Sequence, residues 1–106
     1  MRPELPVLIK ARALIADPAK WGKGKRGCLG DRPLDTCCAA EAIEEVEPPS
    51  PRRRAAYYAL ERAAGLVRPP MGSAIVEWND APERTHAEVL AAFDKAIAHT
   101  TGERDG

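Results

Sequence analysis

Three cysteines, two histidines and two runs of cations are the residues of this 106-residue chain whose types could do chemistry. Cys28, Cys37, Cys38 and His86 are the right kinds of side chain for a tetrahedral zinc site. Their spacing argues against one, because structural zinc sites present ligands in close pairs and the chain has neither Cys-x-x-Cys nor His-x-x-x-His. No metal and no cofactor are expected. A thiol at the start of a helix can also become a nucleophile, and Cys37 or Cys38 would then need His86 or His99 delivered by the fold. The simpler reading makes Cys38 a small buried residue heading a helix. No catalytic constellation is evident, so the protein reads more readily as a non-enzyme than as an enzyme.

The first cationic run, Lys20-Trp-Gly-Lys-Gly-Lys-Arg-Gly27, packs four cations, an aromatic ring and three glycines into eight residues. Flexible amides and ammonium groups can cradle a phosphate. The phosphate-loop pattern, however, needs a preceding strand and a Gly-Lys-Ser/Thr entry into a helix, and both are missing. Two readings stand: a solvated basic loop, or a site for a phosphorylated small molecule, nucleotide or acidic partner on Lys20, Lys23, Lys25 and Arg26. The second run, Arg52-Arg53-Arg54, opens a helix where cations oppose the helix dipole. Helix stability therefore does not explain it. These arginines either neutralise Glu41, Glu44, Glu45 and Glu47 across a proline turn or contact a partner, with Tyr58 as the outward ring beside the inward Tyr57.

These side chains must be held by a scaffold that the apolar spacing outlines. Val7, Leu8, Ala11, Leu14 and Ile15 form a helical stripe over residues 5–16, closed by Asp17-Pro18. Residues 20–33 lack a period and form a loop anchored by Trp21. A second helix starts at Asp35 or Thr36 and runs to about Glu47, before Pro48-Pro49. Ser50-Pro51 is an N-cap followed by proline at the first helical position, and Gly65 closes that third helix. After a connector over 66–73, the β-branched stretch 74–78 reads as extended. Trp78-Asn79-Asp80-Ala81-Pro82 combines an apolar anchor with two side chains expected to fix the entry into the last helix. Thr85 and Glu88 there satisfy a capping box ahead of Val89, Leu90, Phe93, Ala96 and Ile97.

The expected fold is mainly α, a small single-domain bundle of about four helices with one short extended segment near 74–78. The domain spans 1–99, with 100–106 a flexible C-terminal tail. Alanine is the commonest apolar residue, which favours close helix–helix approach. Sixteen Lys and Arg balance sixteen Asp and Glu, so a general nucleic-acid binder, whose affinity comes from surplus cations, is not expected. No apolar run is long enough for a bilayer and no secretion signal is visible, which predicts a cytoplasmic protein without a membrane role. The charge is nonetheless blocked locally, in keeping with a site-specific partner surface.

The order of Trp21 and its glycine-bearing loop, Cys38-Ala-Ala-Glu-Ala-Ile43, Trp78-Asn-Asp-Ala-Pro82, then Thr85, Glu88, Val89 and Leu90, resembles an uncharacterised family of short proteins from actinobacteria, other bacteria and their phages. The resemblance covers about residues 5–98 and is most specific from Trp78 to Leu90. Glu41 departs from it, standing where the family pattern has glycine. The resemblance implies no activity and no catalytic residue. It implies a mobile-element origin and, as for many small phage proteins, a regulator or inhibitor that works by binding another protein.

Overall fold

The computed structural model describes residues 2–24, 34–66 and 73–102. Five helices form from them: α1 Glu4–Leu14, α2 Ala39–Val46, α3 Pro51–Ala63, α4 Ser73–Asp80 and α5 His86–Gly102. A 3₁₀ turn, Pro18–Lys20, follows α1 and is capped by Asp17, whose carboxylate accepts from the Ala19 amide at 3.0 Å. Among the described residues there is no strand, only an isolated bridge in which Trp21 runs parallel to Cys37. The Cα radius of gyration, 13.0 Å, is that of one compact domain of about this length.

Local chemistry sets most helix ends. Ser50 Oγ accepts from the Arg53 amide and Pro51 occupies the first position of α3, where the missing N–H costs nothing. At the other end Gly65 takes φ +76°, the Gly65 amide donates to the Arg62 carbonyl and the Leu66 amide to the Glu61 carbonyl. This is the Schellman closure that glycine permits. Thr85 and Glu88 exchange hydrogen bonds of 3.1 and 2.9 Å ahead of α5, as their spacing predicts. The second helix starts later than expected, at Ala39, because Cys38 is its N-cap: the thiol accepts from the Glu41 amide and Glu41 Oε1 accepts from the Cys38 amide at 2.9 Å. Glu41 thus completes a capping box.

α1 lies at the centre, packed against α2, α3 and α5, while α3 also meets α5 and α4 rests on α2 and α3. Val7, Leu8, Ala11 and Ile15 of α1 are buried with Ala42 and Ile43, Ala56 and Leu60, Ile75, and Val89, Phe93 and Ala96. Alanines at these contacts let helix axes approach closely. Leu14, expected in the stripe, is instead 41% exposed at its edge. Trp21 and Trp78 pack against the core from its rim, and Phe93 is the aromatic ring fully inside.

Two expectations are corrected. Residues 74–78 are helical, the middle of α4: Ile75 and Asn79, one turn apart, are both fully buried, so tertiary burial overrides the β-branched preference of Ile75-Val76. The last helix also continues past His99 to Gly102, with Thr100 buried and Thr101 Oγ1 donating back to the Ile97 carbonyl at 2.7 Å.

Candidate functional site

The polar centre of the molecule is Asn79, near the end of α4 and inaccessible to solvent. Its Oδ1 accepts from the Trp21 indole at 2.7 Å and from the Ala39 amide at 3.1 Å. Its Nδ2 donates to the Gly22 carbonyl at 3.1 Å and to Asp80 Oδ1 at 3.0 Å. All four hydrogen-bonding positions of the amide are used. Asp80 Oδ1 also accepts from the Gly24 amide at 3.0 Å, and Lys23 Nζ donates to the Ala81 and Pro82 carbonyls at 2.7 and 3.0 Å. Asn79 and Asp80 therefore do not set the entry into α5 as expected; they bind the Trp21–Gly24 segment and the first turn of α2 to the end of α4. The α5 entry is held by Thr85, Glu88 and Arg84, whose guanidinium donates to the Trp78 carbonyl at 2.9 Å and lies 4.3 Å over the Trp78 ring.

Lys20 pairs with Asp35 at 3.0 Å, an exposed contact that raises the lysine and lowers the carboxyl relative to their ordinary values, chiefly through the shared hydrogen bond. Lys20 and Lys23 are thus engaged within the chain, while Lys25 and Arg26 lie outside the described residues. Of the residues weighed for metal or thiol chemistry, Cys37 and Cys38 are buried thiols, Cys28 lies outside the described residues, and no group of three metal-ligating side chains occurs among those described. His86 donates from Nε2 to the Ile15 carbonyl at 2.7 Å and tilts against Trp21, closing the C-terminal end of α1.

The arginine run divides. Arg53 reaches back to the end of α2, donating to the Glu47 and Glu44 carbonyls at 2.8 and 3.0 Å, and so satisfies two acceptors that the helix itself leaves open. Arg52 makes a looser pair with Glu47, 3.7 Å, with its side chain 56% exposed. Neutralisation across the proline turn thus falls to Arg52, while Arg53 binds carbonyls. Tyr57 is buried and its hydroxyl donates to Glu44 Oε2 at 2.7 Å; burial first, then that carboxylate, pushes the phenol well above its usual range. Arg54 has no ion pair or side-chain hydrogen bond among the described residues. It lies one turn before the half-buried Tyr58, with the exposed Arg62 one turn further on.

Sequence reasoning missed Arg62 and Lys95. Their signal was the i, i+4, i+8 series Arg54, Tyr58, Arg62 and the i, i+4 pair Lys95, His99. A notch of about 170 Å³ between α3 and α5 is lined by Ala59, Arg62, Ala63, Lys95 and His99. On the far side of α2 an open cleft of about 520 Å³ is bordered by Cys38, Glu41, Glu44, Val76 and Asp80, whose three carboxylates serve the Cys38 amide, the Tyr57 hydroxyl and the Gly24 amide.

This geometry defines a small, mainly helical domain with a polar pin at the end of α4 and a basic, aromatic outer face on α3. Among the described residues no helix is long and apolar enough to cross a membrane. The chain belongs to a family of unknown function (DUF6197), whose model matches residues 1–99. That membership agrees with the expectation of an uncharacterised family. No curated protein and no solved structure matches the chain.

Proposed function

We propose that the protein is a non-enzymatic interaction module, a cytoplasmic regulator or inhibitor, phage- or host-encoded, that acts by occupying a partner protein with the outer face of α3. The observation that carries this reading is the division of the cations. Lys20, Lys23, Arg12, Arg53 and Arg84 are spent on carboxylates or carbonyls of the chain itself, whereas Arg54 and Arg62 flank Tyr58 with no internal task among the described residues. Arginine and tyrosine on one helical stripe are the side chains that concentrate binding energy at interfaces, and their charge selects an acidic partner surface.

Affinity capture from host lysate tests this. Wild type recovers a stoichiometric partner, and Arg54→Glu, with the melting temperature unchanged, or Tyr58→Ala loses it. Equal recovery by both variants, or no partner with wild type, overturns the proposed surface.

A further inference from the structure

The geometry points to a second site: we propose that the notch between the C-terminal halves of α3 and α5 binds a phosphate group through Arg62, Lys95 and His99. Ala59 and Ala63, one turn apart on α3, contribute only methyl groups, and their small size leaves the roughly 170 Å³ depression into which the three longer side chains lead. Such a space is below the scale of a drug-sized ligand and suits a single oxyanion. Among the described residues its lining contains no carboxylate. Of the carboxylates nearby, Asp94 holds Arg12 at 2.6 and 3.3 Å, Glu4 holds Arg2 at 3.3 Å, and Glu61, the chain neighbour of Arg62, is buried and is not part of this lining. Arg62, Lys95 and His99 have no ion pair or side-chain hydrogen bond among the described residues.

Helix dipoles explain part of this arrangement, since Arg62 and His99 lie in the last turns of their helices. They do not explain Lys95, which sits in the middle of α5, nor the convergence of cationic side chains from two helices on one notch. Like charges brought together repel, and a dianion relieves that repulsion while accepting a forked pair of hydrogen bonds from the guanidinium. The notch shares Arg62 with the partner surface proposed above, but it needs only this chain and a small ion.

The test is a titration of the full chain with inorganic phosphate at fixed pH and constant ionic strength, chloride making up the balance, followed by NMR of the two histidine rings. His99 signals should move and saturate at millimolar phosphate, whereas His86, fixed on Ile15 and Trp21, should stay still and report the intact fold. Arg62→Ala and Lys95→Ala should each weaken binding about tenfold, the scale of one lost hydrogen bond to a charged group. The proposal is overturned by a His99 response that does not saturate, that chloride alone reproduces, or that both variants leave unchanged. Because the titration contains no partner, its failure leaves the interaction reading standing, and failure of the capture experiment leaves this one standing.

Discussion

At the Asn79 end of the molecule and along the outer face of α3 the chain spends the same kinds of residue in opposite ways. Around Asn79, an amide, a carboxylate, an ammonium and an indole are each used up by partners inside the chain, and the distances cluster between 2.7 and 3.1 Å. Along α3, Arg54 and Arg62 stand beside Tyr58 with charge left over. The difference teaches that cationic density in this sequence is not itself a sign of a binding surface. The lysines of the glycine-bearing run that the structure describes serve the fold, and the α3 arginines divide between the fold and solvent.

Substitutions can sharpen or break that contrast. The largest effect is expected from Asn79→Ala, which strips partners from the Trp21 indole and the Ala39 amide at once; unfolding in urea should show a loss of about 3 kcal/mol. A loss near that of an ordinary surface change would mean the pin is ornamental. Next come two neighbours compared directly. Arg53→Ala should cost about 1.5 kcal/mol, because the Glu44 and Glu47 carbonyls lose a charged donor, whereas Arg54→Ala should stay within about 0.5 kcal/mol of wild type. Equal costs would erase the distinction between the structural and the outward arginine.

The smallest effect is a pH dependence at the start of α5. The Thr85 amide, aided by Arg84, holds the Glu88 carboxyl below its ordinary value of 4.5. A carboxyl lowered in the folded state lends stability that is fully present above its unfolded value and is lost as pH falls through the folded one. Wild type should therefore be more stable than Glu88→Gln at neutral pH, and the gap should close once the pH has fallen well below 4.5, through the lowered folded value. A gap of the same size at both pH values would remove the carboxylate from the cap.

Much of the helical frame was legible because its signals are local. Ser50 with Pro51, Gly65, and Thr85 with Glu88 each act on backbone groups within about a turn, so their residue types suffice to place helix ends. The α4 segment was not legible, since Ile75-Val76 favours an extended chain by intrinsic preference and only burial against α2 and α3 settles it as a helix. The partners of the distinctive Trp78–Pro82 stretch were not legible, because they lie far away in the sequence.

What the sequence by itself determined, then, is a mainly helical domain with capped elements, an alanine-rich core and charge sorted into blocks. Only the tertiary structure decided what each polar residue does. Asn79 meets Trp21 across 58 residues and Ala39 across 40, and no local pattern encodes such pairings. Arg53 and Arg54 are adjacent in the chain but about 100° apart around the helix, so the position of α2 alone turns one into a cap and leaves the other facing out.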